Sequence, residues 1–344
     1  MQMNKWYRQV LAGGKSSNGR PYFVTFKRGA SANLLVNFFG GGASWNEDTA
    51  GKSLSVGALL GLKEGYYIDH IPPYVMGAMH VGILKAKDAR NPFDDWSVLQ
   101  IHYATADFHL GNHDFEHAQG KVLHHHGQKN VELALDFLKA FFPDTPEKLV
   151  ISGSSAGGFG CLAHSPAVQA LYPDCQHVLV YSEGTHLHTE LWPTIAQDIW
   201  KVSPHLLPYI KGPDLIGDLF RYAKDHLPKD TVFLHANTVW DKTLVQFMNK
   251  LNHDKMTVNE QGLHEFHNSL LAVTAQLKKE IPTYYFFLTD MEKNKQGTTP
   301  HTFAGSKKLL YERSEAGITL AEWLRRALEN RPFDVGTQFL EEDL

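Results

Sequence analysis

The sequence predicts an α/β fold, a mostly parallel central sheet with helices on both faces, and three observations carry that prediction. Strand-like apolar runs alternate with loops and amphipathic stretches, the order that generates parallel strands joined by crossover helices. One such run, Lys148-Leu149-Val150-Ile151-Ser152, leads into Gly153-Ser154-Ser155-Ala156-Gly157 and then into the small residues Gly158-Phe159-Gly160-Cys161. Another, Leu34-Leu35-Val36-Asn37-Phe38-Phe39, runs into Gly40-Gly41-Gly42-Ala43-Ser44-Trp45.

Taken in order, residues 21–26, 33–39 and 99–104 are expected as early strands. From Gly127 to Phe142 a helix is expected, because Val131, Leu133, Leu135, Leu138 and Phe141 fall close to one face and Pro143 ends it. The elbow strand 148–152 follows, and His177-Val178-Leu179-Val180-Tyr181 is a short buried strand. A Trp- and Pro-containing stretch, about 185–228, reads as helical and as a small cap inserted over the site. Residues 231–236 and 283–288 are the last core strands, and a helix over 320–328, with Trp323 and Leu324 on its apolar side, closes the fold. No internal repeat, low-complexity tract or linker interrupts the chain, so a single domain over 1–344 is expected.

In a chain with 28 glycines the G-x-S-x-G pentapeptide is weak by itself, and its setting between strand and helix gives it meaning. So tight a turn admits only small neighbours around Ser155 and leaves its hydroxyl exposed above the sheet, with the Ala156 N–H beside it. Glycines after a strand turn backbone N–H groups inward without side-chain obstruction, so Gly41 and Gly42 are the other oxyanion-hole candidates. The two glycine sites come in the chain order of an α/β-hydrolase fold. In that fold the acid and then the histidine follow the serine, each on a loop at a strand's C-terminal end. Asp230 precedes its strand; Asp241 lies just beyond 231–236 and is the acid expected, with Asp290 in reserve. Asp241 also reads as a helix N-cap, since Thr243, Leu244, Phe247 and Met248 look helical after it. His301 follows the final strand and precedes the closing helix, and it is the base expected. Trp45, Phe159, Trp240 and Phe303 flank these residues and are candidates for an acyl pocket, with Asp107 and His109 at its border.

With these residues in hand, the chain resembles the pectin acetylesterase/Notum family of α/β-hydrolases. The resemblance runs through Gly40-Gly41-Gly42-Ala43-Ser44-Trp45-Asn46, Tyr103-Ala104-Thr105-Ala106-Asp107-Phe108-His109-Leu110-Gly111-Asn112, His125-His126-Gly127-Gln128-Lys129-Asn130 and Gly153-Ser154-Ser155-Ala156-Gly157-Gly158. It ends with Asp241-Lys242-Thr243-Leu244-Val245-Gln246-Phe247 and His301-Thr302-Phe303. The resemblance implies a serine esterase removing acyl groups from hydroxyls through an acyl-enzyme intermediate, acetyl or another short acyl group in most members and a fatty acyl group in the Notum branch. By position it implies Ser155, Asp241 and His301 as triad, and Gly41, Gly42 and Ala156 as oxyanion hole. A small-molecule or saccharide ester is the substrate class implied, and no cofactor is called for. Secreted members often carry a cysteine where this chain has Ser44, which points to an intracellular form.

Two other readings stand beside this one. His102, His109, His113, His117 and the run His124-His125-His126 crowd one stretch, which admits a metal-dependent hydrolase built on 102–126, although no carboxylate or cysteine stands at a recognised ligand spacing. A binding protein that kept the scaffold and lost its chemistry is the third. Net charge is −4 with Lys and Arg scattered among acids, so no nucleic-acid partner is expected. No run approaches the length of a membrane span, and residues 1–8 lack a signal-peptide apolar core, so neither a membrane partner nor export is expected and the location expected is cytoplasmic. The only cysteines, Cys161 and Cys175, are expected as buried thiols.

Overall fold

Val, Ile, Leu and Phe fill the runs that become central strands, and their alternation decides which side chain reaches which face. The computed structural model describes residues 2–54, 64–72, 76–117 and 120–341. Its strands are β1 (Trp6–Lys15), β2 (Pro21–Lys27), β3 (Leu34–Phe38), β4 (Ser97–Ile101), β5 (His113–His117), β6 (Lys121–His125), β7 (Leu149–Ser154), β8 (Val178–Glu183), β9 (Val232–Thr238) and β10 (Tyr284–Thr289). Eight of them form one sheet in the order β1-β2-β4-β3-β7-β8-β9-β10. From β4 to β10 neighbouring strands are parallel, while β2 pairs antiparallel with both β1 and β4. This is the α/β class expected. The principal helices are α1 (Gly127–Phe141), α2 (Ala156–Ala170), α3 (Leu215–His226), α4 (Lys242–His253), α5 (Glu260–Glu280) and α6 (Leu320–Leu328).

Leu34, Val36, Leu99, Ile151 and Val180 point to a core shared with α1, α2, α3 and α5. Their neighbours Leu35, Val98, Val150 and Leu179 point to the opposite core, built on α6 and Trp323. Both faces of the parallel strands are therefore covered, which is why these strands read as unbroken apolar runs. A capping box starts α6, with Thr319 Oγ1 accepting from the Glu322 N–H and the Glu322 carboxylate accepting from the Thr319 N–H.

The sequence gives little sign of β1, whose residues are mostly exposed and include Gly13-Gly14, or of the separate antiparallel hairpin β5–β6. The stretch 185–228 is placed differently from a cap over the site. Its Trp192 and Trp200 are each 1% exposed and pack on Phe108, while Phe220 of α3 lies edge-on to Phe233 and Tyr284 of the sheet. Its apolar residues cover the sheet and α2, and of the whole stretch only Leu187 lines the cleft described below. Cys161 and Cys175 are buried free thiols.

Candidate active site

Ser155 sits between β7 and α2 with φ 55° and ψ −129°, a left-handed φ that non-glycine residues adopt at a cost of about 1–3 kcal/mol when surroundings enforce it. The surroundings here are backbone. A Cβ on Gly153 would stand 2.0 Å from the Gly157 carbonyl oxygen, and one on Gly157 would stand 2.1 Å from that of Phe38. The Ser155 N–H donates to the Glu183 carbonyl at 2.8 Å, fixing the turn against β8. The glycine loop after β3 lies alongside, since a Cβ on Gly40 would come within 2.8 Å of Ser155 Cβ.

Gly42 has φ 79° and leaves no room for a side chain, a Cβ there falling 1.8 Å from the Tyr66 carbonyl oxygen. Its antiparallel bridge to Tyr67 is made by its neighbours, Ala43 N–H to Tyr66 O and Ile68 N–H to Gly41 O, each 2.9 Å. In that pattern the Gly42 N–H points away from Tyr67. His109 holds the loop from behind, its Nε2 donating to the Phe39 carbonyl at 2.9 Å.

Asp241 follows β9 and is 1% exposed. Its Oδ1 accepts from the Leu244 N–H at 3.0 Å, capping α4, and its Oδ2 accepts from His301 Nδ1 at 2.6 Å. A parallel bridge between Asp241 and Thr299 ties the two loops together. Asp290, the reserve acid, faces Glu315 instead. Burial alone would lower the His301 pKa, but the Asp241 carboxylate, with the buried Glu183 behind it, raises it overall. Among the described residues His301 Nε2 has no hydrogen-bond partner.

Ser155, Gly41, Gly42, Ala156 and His301 all line one cleft of about 420 Å³. Its walls are mainly apolar and come from Leu54, Tyr66, Phe108, Phe159, Leu244, Phe247 and Met256. Of the candidate pocket residues Phe159 lines it, stacked on Phe108 at 4.4 Å. Trp45, Asp107 and Trp240 do not. Trp45 stands behind the wall, against Tyr66 and Phe247. Trp240 stacks on His267 at 4.0 Å, and Phe303 packs on Phe287 in the opposite core. Asp107 is fully buried, with Oδ1 accepting from Thr105 Oγ1 and the His109 N–H and Oδ2 from the Gly127 N–H. Burial pushes its pKa up to about 7, and its part is to shape the turn that presents Phe108.

Glu183, at the end of β8, is the residue that motif reading missed. Its fully buried carboxylate accepts from Ser154 Oγ at 2.7 Å, Tyr181 Oη at 2.5 Å and the Ala304 N–H at 3.0 Å, so it joins the elbow strand to the loop carrying His301. The available signal was position: an acid in a buried strand beside the elbow needs partners for its oxygens. The histidine-rich stretch does not converge on the cleft. His102, His109 and His125 are buried, hydrogen-bonded apart from one another to Thr25, Phe39 and Thr105, and lowered by burial to about 3, so they are neutral packing residues. Among the described residues the group able to share an ion is Asp114, His124 and His126 on the β5–β6 hairpin, which lines no part of the cleft.

Sheet order, elbow and loop positions define an α/β-hydrolase fold. The structure of the Wnt deacylase Notum from Drosophila has that fold with a TM-score of 0.63 and 14% identity, over 97% of this chain and 98% of that one. The sequence model of the pectinacetylesterase family matches residues 70–191, which include Ser155, and the resemblance to the pectin acetylesterase/Notum family is borne out. No curated protein matches by sequence. The comparisons support a carboxylic ester hydrolase. They also overturn the cytoplasmic expectation, because pectinacetylesterases and Notum are secreted extracellular enzymes. Cysteine count and residues 1–8 are indirect guides to compartment and do not outweigh that finding. Among the described residues no helix is long and apolar enough to cross a membrane.

Proposed function

We propose that this chain is a serine esterase acting through an acyl-enzyme intermediate, with Ser155 as nucleophile, His301 as general base and Asp241 as its orienting acid. One observation carries the reading: the His301 ring gives Nδ1–H to Asp241 at 2.6 Å and, among the described residues, keeps Nε2 unpartnered in the cleft that holds Ser155. With Nδ1 protonated, Nε2 takes the serine proton as Oγ attacks the ester carbonyl. The N–H groups of Gly41, Gly42 and Ala156 receive the developing oxyanion, each donor contributing about 3 kcal/mol to the barrier reduction. His301 then gives the proton to the leaving alcohol, and water repeats the sequence to release the acid. Removal of an acyl group is also what the name of the Drosophila Notum deacylase states for that protein.

A cleft of about 420 Å³ with apolar walls is larger than an acetyl group needs and has room for a longer acyl chain or for the alcohol part of the ester. An activated alkyl phosphonate is the test. It is expected to label the wild type at Ser155 with loss of esterase activity and to leave a folded Ser155→Ala protein unlabelled. Labelling elsewhere, or none in folded wild type, rejects the serine mechanism.

A further inference from the structure

We propose that the β5–β6 hairpin binds one divalent transition-metal ion of the zinc type through Asp114, His124 and His126. The register puts these residues together. Asp114 and His124 are directly opposed across the antiparallel pair, and His126 comes two residues after His124, so the side chains gather on one face. His124 Nδ1 lies 2.5 Å and His126 Nε2 lies 2.7 Å from the same carboxylate oxygen, Asp114 Oδ1, and the three ligand atoms lie within 4.8 Å of one another. Two imidazoles aimed at a single oxygen hold the space a cation occupies when it replaces their shared protons.

Two imidazole nitrogens and one carboxylate oxygen form a recognised zinc donor set that leaves a position for water. Bonds of about 2.0–2.1 Å set tetrahedral ligand atoms about 3.3 Å apart, so each nitrogen need withdraw from the oxygen by less than ~1 Å. The support is firm: the His124 N–H donates to the Ser17 carbonyl at 2.9 Å, His113 Nδ1 to Ile199 at 2.8 Å and His125 Nδ1 to Thr105 at 3.0 Å. The His126 side chain is mostly buried, which holds its ring in place beside Asp114. Half of the Asp114 side chain is exposed, which gives an ion its way in. His126 directly precedes α1, whose Gly127 N–H holds Asp107 and through it the turn of Phe108. The ion therefore fastens the hairpin to the start of α1 and acts on stability, apart from the ester chemistry.

The test uses the full chain without an affinity tag, stripped with a chelator and titrated with zinc chloride by calorimetry, with the melting temperature followed in parallel. One equivalent is expected to bind saturably and to raise Tm. Asp114→Asn and His124→Gln, both at partly exposed side chains, are each expected to weaken binding by at least about 10–100-fold, the loss typical of outer-shell changes alone. Cobalt(II) should give ligand-field bands in the wild type that both variants lose. Ester hydrolysis should be insensitive to the chelator, so failure of the serine mechanism and failure of this site read out separately. Absence of saturable binding to the folded wild type overturns the proposal, as does binding that both variants leave unchanged.

Discussion

Asp241 satisfies two donors with two oxygens, the first turn of α4 through Oδ1 and the His301 ring through Oδ2, and the two duties separate on substitution. Asp241→Asn keeps an oxygen for the cap but offers an amide N–H to Nδ1, which favours the wrong tautomer. Under the proposed mechanism kcat should fall by about 10⁴. Stability should fall by no more than the ~1 kcal/mol of a cap. The raised pKa of His301 fixes the pH behaviour. The proposed mechanism needs the neutral ring, so kcat/KM should drop as pH falls through a midpoint above the ordinary histidine value of about 6.5. The stability term runs the other way: it is fully present below the unfolded pKa and is lost as pH rises through the folded one. A pH–rate profile with its midpoint below about 6 would remove His301 from the role of base. At this scale the apolar runs marked the strands that precede Ser155, Asp241 and His301, and the Asp241–His301 hydrogen bond and the shared cleft of Ser155 and His301 follow from where those strands end. Trp45 and Trp240 were misplaced because side-chain depth is decided by packing against Tyr66, Phe247 and His267, residues remote from or unremarked in the local pattern.

Among the elements, β8 does more than fill the sheet, because Glu183 at its end binds the elbow strand through Ser154 and the loop carrying His301 through Ala304. Burial pushes its carboxyl up, and its hydrogen bonds to four groups, including the Phe303 N–H at 3.3 Å, oppose that rise. Glu183→Gln has the same shape but replaces one acceptor oxygen with a donor, so at least one of these partners loses its acceptor. A cost of about 1–3 kcal/mol in stability is expected from the unsatisfied group, measured by denaturant unfolding. Loss of the charge should also lower the His301 pKa, moving the acid limb of the pH–rate profile down while KM changes little; an unmoved limb with lower stability alone would leave Glu183 a purely structural residue. Neither β1 nor the β5–β6 hairpin was legible as an element. β1 is mostly exposed and shows no sustained alternation, and the hairpin's histidines carry no apolar period. The parallel strands were legible to within three residues, the expected 99–104 standing against Ser97–Ile101, since burial on both faces forces them to be apolar throughout.

At the scale of the whole molecule, the cleft exists only because segments far apart in the chain meet above the ends of β3, β7 and β10. Leu54, Tyr66, Phe108, Phe159, Phe247 and Met256, from five separate stretches of sequence, line it together. No local pattern encodes such a cavity, so its depth lay beyond what the sequence could express, whereas the loops at its base were marked by their glycines. Under the proposed mechanism the size of the cleft sets the acyl preference. If the acyl chain lies along these walls, each added methylene removes apolar surface from water and contributes about 0.8 kcal/mol, or roughly four-fold in kcat/KM when the contact is made in the transition state. A series of p-nitrophenyl esters from acetate to palmitate should therefore rise stepwise in kcat/KM, then level or fall once the cleft of about 420 Å³ is filled. Substituting Phe159 or Phe247 by Ala should flatten the rise for longer chains and leave acetate little changed, because an acetyl group reaches only the base of the cleft. A series that is flat or declines from acetate onward would place the alcohol part of the ester in the cleft instead, and the acyl group outside it.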